Sequence, residues 1–277
     1  MEPIVDLHCH SNFSDGVLSP VELYDAAYKS GVKYLSLTDH DTIAGLDGLH
    51  FANLSNNLTI INGIELSVKW KKYNLHILGL NINPNHAELL NIIEKQSASR
   101  IERAEAIADL LAKCGIENAY DKALQYAKNH NIGRPHFAKV LLAEGFVTNL
   151  QEAFTNYLGE RKKAYVSTSW ISLEEAVSVI IAAGGDAVIA HPLKYKLTRT
   201  KLLELVEYFK SIGGNCLEVI SGNMLQDDIT LLANVCCKFD LLASSGSDFH
   251  GEKMSKIQIG KQKVLPTELK PIWHKWS

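Results

Sequence analysis

Cysteine is scarce and odd in number. Cys9, Cys114, Cys216, Cys236 and Cys237 lie in or beside apolar runs with no C-x-x-C spacing. That pattern excludes a fully paired disulfide framework and reads as free thiols in a reducing, cytoplasmic setting. Net charge is equally modest: 28 basic against 31 acidic residues leaves −3, which gives no broad basic face for a long duplex. Long hydrophobic runs are missing too. The longest, Ala176 to Ala190, is interrupted by Gly184, Gly185 and Asp186, so no segment is expected to span a membrane. The first ten residues carry Glu2 and Asp6 and no basic stretch ahead of an apolar one, so no signal peptide is expected. Internal repeats, low-complexity tracts and Pro/Gly/Ser linkers are absent. What is present is a 277-residue chain, 46% hydrophobic and 21% charged. That is enough for one large domain or two modest ones with a sizeable core. Eleven histidines stand out, and only their positions can say whether they serve metal, acid–base chemistry or packing.

Short apolar, β-rich runs alternate with helical patterns over most of the length. The strand-like runs are Ile4–Leu7, Tyr34–Leu37, Leu58–Asn62, Leu75–Leu80, Ala187–Ala190, Cys216–Ile220 and Leu241–Ala243. Two capping boxes mark helix starts, Ser19 with Glu22 and Ser172 with Glu175; Pro20 opens the first helix and Gly31 closes it. Such alternation predicts a parallel sheet or barrel with helices outside. From about Asn85 to Glu160 the alternation stops and only helical patterns follow. The expected organisation is therefore an α/β body over 1–84 and 164–277 with a small all-helical domain, 85–163, inserted as a lid or substrate-selecting element.

Titratable residues recur beside the predicted strands. His8 and His10, two apart in an extended segment, share a face and precede Asp15. Thr38-Asp39-His40-Asp41-Thr42 follows one apolar run and Gly63-Ile64-Glu65-Leu66 another. Asp41 and Thr42 could equally cap the following helix. His76 sits inside an apolar strand, where a lone histidine is ordinarily a core residue. His191 follows Ala187–Ala190, and Asp248 and His250 follow Leu241–Ala243. Taken together these place His8, His10, Asp15, His40, Glu65, His76, His191, Asp248 and His250 at or near one mouth of a barrel. Nitrogen and carboxylate donors without thiolate suit Mn first, with Zn or Fe as alternatives. Nine ligands exceed one ion, so a two- or three-metal cluster is expected; it would generate a hydroxide nucleophile and clamp phosphoryl oxygens.

These motifs resemble the PHP family, named for polymerase and histidinol phosphatase. DLHCHSNFSDG is similar to its first motif, LSLTDHDT to its second, GIEL with LHILGL to its third, and AHP and SGSDFH to the rest. The resemblance implies a distorted (β/α)7 TIM-like barrel with a trinuclear site. His8, His10, Glu65 and Asp248 would hold the first ion. Asp15, His40 and His250 would hold the second, and His76 and His191, with Glu65 bridging, the third. Gly133-Arg134-Pro135-His136-Phe137-Ala138, Ala164-Tyr165-Val166 and the Trp273/Trp276 tail resemble the bacterial subfamily containing RNase AM. That subfamily removes the 3′-phosphate from nucleoside 3′,5′-bisphosphates and trims short RNAs from the 5′ end.

Arg134, just before a predicted helix, combines a guanidinium with a helix N-terminus and reads as an anion ligand. Arg100 and Arg103, three apart, share a helix side and either join it or pair with Glu102 and Glu105 on a solvated face. Arg134 and Arg100 are the expected substrate ligands. His136 could touch substrate or cap its helix, and His50, His86, His130 and His274 read as surface or packing residues. The chain is thus expected to be a metal-dependent phosphoesterase acting on nucleotides or short RNA, with three divalent ions and a metal-held hydroxide as nucleophile. No side chain stands out as general acid; a metal-bound water, Asp39 or Asp41 could serve. The alternatives are a histidinol-phosphate phosphatase and a non-catalytic nucleic-acid or polymerase-accessory module.

Overall fold

The computed structural model describes residues 2–50, 57–127 and 131–276, without the His50 side chain. The first half of the body contains β1 (Val5–Cys9), α1 (Pro20–Lys29), β2 (Tyr34–Leu37), α2 (Ala44–His50), β3 (Thr59–Trp70) and β4 (Tyr73–Leu80). Helices follow: α3 (Ala87–Ala112), α4 (Ala119–Leu124), α5 (Arg134–Ala143) and α6 (Leu150–Ala153), the last running into a π-helical turn, Phe154–Leu158. The body resumes with β5 (Ile171–Ser172), α7 (Leu173–Ala182), β6 (Asp186–Ile189), α8 (Arg199–Ser211), β7 (Cys216–Ser221), α9 (Gln226–Lys238) and β8 (Leu242–Gly246). Both predicted capping boxes form: the Ser19 and Ser172 hydroxyls accept from the Glu22 and Glu175 amides, whose carboxylates accept from the capping residues.

The strands pair in the order β1-β2-β3-β4-β6-β7-β8, with β5 on the far end of β3. The circuit nearly closes, because the Asp248 amide donates to His8 O at 2.8 Å and the His10 amide to Phe249 O at 2.9 Å. The result is a distorted TIM-like barrel with helices around it. The sheet is mixed rather than parallel, since β4 runs antiparallel to both β3 and β6. The reason is local: only Lys71 and Lys72 separate β3 from β4, with Lys71 at φ 53°. A hairpin that short can only reverse the chain, whereas a parallel partner needs a crossover of a dozen residues or more.

Alternation along β3 decides what faces where. Ile64, Leu66 and Val68 join Leu173, Val177 and Ile180 of α7 in the main apolar core. Glu65 and Ser67 point to the opposite face, and Ser67 stands opposite His76 on β4. The helical segment has its own core, including Ile107, Leu111, Phe137, Leu141 and Leu158, whereas Leu89 at the start of α3 packs with the barrel.

The seam between β8 and β1 leaves no room for a side chain at Gly246. A Cβ there would lie 2.3 Å from His8 Cβ. Gly246→Ala should therefore destabilise the protein by about 1–3 kcal/mol, as overpacking does. Urea unfolding checks this; an unchanged midpoint would mean that the seam shifts freely.

Candidate metal centre

β1 carries His8, and His10 follows its end; both are fully buried. The tight turn after them closes through Gly16, whose amide donates to Ser11 O at 3.0 Å and where a Cβ would lie 2.1 Å from His10 O. Only glycine fits, and Asp15 is thereby held at the mouth. β2 delivers the Thr38–Asp41 stretch, with the Thr38 hydroxyl donating to Cys9 O at 3.2 Å. Glu65 lies in the middle of the twelve-residue β3, not at its end as the sequence suggests, because pairing with β4 extends the strand to Trp70. His76 is likewise mid-strand in β4. His191 and Asp248 follow β6 and β8 with φ of 28° and 51°, sparsely populated values for residues with a Cβ.

All nine predicted residues converge. The Glu65 carboxylate, wholly buried, is the hub. His191 Nε2 is 2.9 Å, His76 Nδ1 3.0 Å and His8 Nε2 3.3 Å from its Oε1; His40 Nδ1 is 2.9 Å and His10 Nε2 3.3 Å from its Oε2. Asp248 Oδ1 lies 3.5 Å from His8 Nε2 and 3.4 Å from His10 Nε2, and Asp15 Oδ1 lies 3.2 Å from His250 Nε2. Four overlapping sets keep their donor atoms within 4.8 Å of one another: His10 with Asp15, His40 and His250; His8 with Glu65 and His191; His8 with His10 and Asp248; and His40 with Glu65 and His76.

Burial opposes ionisation of Glu65, but the surrounding His40, His76 and His8 hold its carboxyl well below the usual range. His10 is pushed down to about 3 by burial and then by repulsion from His250 and His40. His76 is pushed down to about 4, chiefly by burial. His10 and His76 are therefore neutral, ligand-ready donors. At His8, His40 and His250 burial opposes protonation, but the neighbouring carboxylates overcome it and raise them, so a cation would bind there in exchange for protons. The fit to cations is visible in what stays unsatisfied: the buried His8 Nε2, His10 Nε2, His40 Nδ1 and Glu65 Oε2 complete no hydrogen bond among the described residues. Buried polar atoms of this kind need a partner.

Several contributors escaped sequence reasoning. Glu218 on β7 is fully buried, 2.8 Å from His8 Nδ1, and accepts from the His191 amide at 2.5 Å. Its only signal was a charged residue inside the apolar run Cys216–Ile220. Lys194, in the 3-10 turn after His191, pairs with Asp248, and the Tyr195 hydroxyl donates to Ala190 O at 2.8 Å. Asp39 accepts from the Ser11 amide and from the Ser11 and Ser14 hydroxyls, which employs it in holding the loop. His136 caps its own helix, Nδ1 accepting from the Gly133 amide at 2.9 Å. His130 and the His50 side chain lie outside the described residues.

The arginines fall beside this cluster. A cavity of about 140 Å³ reaches from Asp15, His40 and His76 to Arg100, Arg103 and Arg134. Arg134 is the first residue of α5. Arg100 departs from expectation: its Nε and Nη2 close on Asp41 Oδ2 at 2.8 and 2.5 Å, and Nη2 reaches Ser67 Oγ at 3.2 Å. Two of its three nitrogens are thus spent on the fold, because Asp41 would otherwise be a buried, unpaired charge. Burial raises the Asp41 carboxyl, but Arg100 and the Ser67 amide overcome it and hold it below its ordinary value, so Asp41 is a poor proton donor. Arg103 lies over the Trp170 ring at 5.4 Å, its Nε buried without a hydrogen-bond partner among the described residues. Burial, reinforced by Arg134 and Arg100, pushes it down to about 9. Three guanidiniums thus meet, Arg100 paired with Asp41 and the cavity closing on Asp15 at the cluster end.

A family model described as the PHP domain matches residues 6–219. The chain is 42% identical to a 5′-3′ exoribonuclease of Haemophilus influenzae, over 98% of each. It is 39% identical to a 3′,5′-nucleoside bisphosphate phosphatase of Chromobacterium violaceum, over 97% of this chain and 95% of that one. A solved structure from Chromobacterium violaceum, described as an amidohydrolase with bound sulfate and no metal, superposes with a TM-score of 0.92 at 39% identity, covering 98% and 95%.

Breaking a buried ion pair by removing one partner is strongly destabilising, so Arg100→Ala should cost about 3–5 kcal/mol in urea unfolding at neutral pH. Asp41 is held below its ordinary value, so its share of the pairing is present above the usual carboxylate range. It is lost as the pH falls through the lowered value, and the gap between wild type and variant should shrink in acid. A loss under about 1 kcal/mol, the scale of a surface pair, would contradict the pairing.

Proposed function

The chain belongs to the PHP domain family, and on that premise we propose that it is a metal-dependent hydrolase removing the 3′-phosphate of nucleoside 3′,5′-bisphosphates and trimming short RNAs from the 5′ end. The observation that carries this reading is adjacency: the imidazole–carboxylate cluster and the three-guanidinium cavity share Asp15, His40 and His76. A substrate with one phosphate leaves the arginines without purpose, whereas two phosphates on one ribose occupy both centres. The two relatives' activities then reduce to one bond, the P–O3′ bond of the 5′-terminal nucleotide.

Three divalent ions, Mn before Zn or Fe, are proposed to sit among the nine ligands: one with His8, His10, Glu65 and Asp248, one with Asp15, His40 and His250, and one with His76 and His191, Glu65 bridging. The four overlapping donor sets support a cluster of this size, and His10, which falls in two of them, would be able to join either of the first two ions. Such ions supply Lewis-acid stabilisation of phosphoryl oxygens and lower the pKa of water. The protein's own residues do the rest. Glu218 accepts the Nδ1 proton of His8 and so leaves Nε2 facing the cluster. Arg134 and Arg103, with Nη1 of Arg100, take the 5′-phosphate. Trp170 keeps Arg100 and Arg103 in place from 5.3 and 5.4 Å. Segment 85–163 acts as the lid, tied down by Gln96, which donates to Asp41 and Ser67 O, and by Asn131, which donates to His40 O. The free cysteines fit a cytoplasmic enzyme, and among the described residues no helix is long and apolar enough to cross a membrane.

Steady-state kinetics on adenosine 3′,5′-bisphosphate and histidinol phosphate test the substrate. The bisphosphate should have the higher kcat/KM, chelation should abolish turnover, and Asp248→Ala should lower kcat by about 10²–10³. A preference for histidinol phosphate would sink the assignment. Separately, Glu218→Gln should weaken divalent-ion affinity about 10–100-fold in metal titrations, the usual range for an outer partner of a ligand histidine.

A further inference from the structure

A second cavity, of about 440 Å³, touches the same cluster from the other side of the mouth. The arginine cavity lies over β2–β4, reaching His40 and His76. The second lies over β6–β8, reaching Asp248 and His250 through Lys194, Ser221 and Asn223. Asp15 and Pro135 line both, so the two meet over the cluster. A nucleoside bisphosphate with its 5′-phosphate at the arginines and its 3′-phosphate on the cluster has no group beyond the scissile phosphorus to reach toward the second.

A phosphodiester does. Its scissile phosphorus carries two bridging oxygens, O3′ of the terminal nucleoside and O5′ of the next. We infer that the cavity over β6–β8 receives the nucleotide on the 3′ side of the scissile phosphate, so that the RNA enters across the mouth with its 5′ end under the helical segment and its body leaving over β7 and β8. This rests on the proposed function and adds the strand's polarity and a second subsite. The volume falls within the about 300–1,000 Å³ of small-molecule pockets. Its chemistry suits a nucleotide of any base. Lys256 supplies positive charge, being exposed and without an acidic partner among the described residues, whereas Lys194 is paired with Asp248. Met254 and Ile257, half-buried, offer apolar surface to a ribose or base, and Asn223 an exposed amide. In the reaction a water oxygen bonds to phosphorus, the P–O3′ bond breaks and the water proton ends on O3′. The products are a 5′-mononucleotide and an RNA shorter by one residue with a new 5′-phosphate. That shortened chain already lies with its 5′-phosphate on the cluster and has to move only one subsite to react again.

The test compares kcat/KM of the Mn-loaded enzyme on 5′-phosphorylated diadenylate and on adenosine 3′,5′-bisphosphate, for wild type, Lys256→Ala and Asn223→Ala. Losing one charged contact to the second nucleotide should lower the dinucleotide-to-bisphosphate ratio about tenfold for Lys256→Ala, mainly through KM of the dinucleotide. Asn223→Ala should move it in the same direction by less. A ratio unchanged in both variants overturns the subsite, as does a wild type that hydrolyses the bisphosphate but not the dinucleotide. Turnover of neither by the wild type removes the functional reading and the subsite together.

Discussion

A carboxylate with no exposed surface is the constraint around which the mouth of this barrel is built. Taking an ion such as Glu65 out of water costs several kcal/mol unless positive charge or hydrogen-bond donors surround it. Here five histidines from β1, β2, β4 and β6 or the residues just beyond them point a ring nitrogen at its two oxygens. Their positions depend in turn on further buried groups. Glu218 fixes His8 and the backbone of His191, Gly246 lets β8 approach His8, and the reversal of β4 sets His76 opposite Ser67.

The same logic ties the helical segment to the barrel. Asp41 stands next to a cluster residue, His40, at a positive φ, and its charge is answered from α3 by Arg100 and Gln96. An ion pair that satisfies a buried aspartate also sets the distance between the helical segment and the mouth. Arg100 is therefore structural in its main contacts, which leaves Arg103 and Arg134 as the less compensated cations. Trp170 stacking on Arg100 and Arg103 completes a wall that is positive toward the cavity and apolar behind it. The π-helical turn at Phe154–Leu158, which places Phe154 on this wall, belongs to a class of helix irregularities frequent at functional sites.

Of the eight strands among the described residues, seven were legible in the sequence because each is an apolar run bounded by turn or cap residues. The eighth, β5, has two residues and only its pairing with Val68 defines it. The nine cluster residues were legible because histidines and carboxylates are conspicuous beside apolar strands. Glu218 was not, since a lone acid within a strand carries no spacing to another ligand. Its role depends on His8, 210 residues away in the chain. The pairing of Arg100 was not legible for a related reason: a helix pattern shows that Arg100 and Arg103 share a side, but not that Asp41 lies opposite one of them.

By itself the sequence determined the order of strands and helices, the interruption by a helical segment, and the set of nitrogen and oxygen donors, because periodicity and residue chemistry are local properties. Only the tertiary structure decided the hand-off between elements. The short β3–β4 connection reverses a strand and makes the sheet mixed, β8 returns to β1, and residues as distant as Asp6 and Gly260 are brought into one hydrogen bond. Those outcomes depend on which charges must be answered once water is excluded, and that is settled in three dimensions.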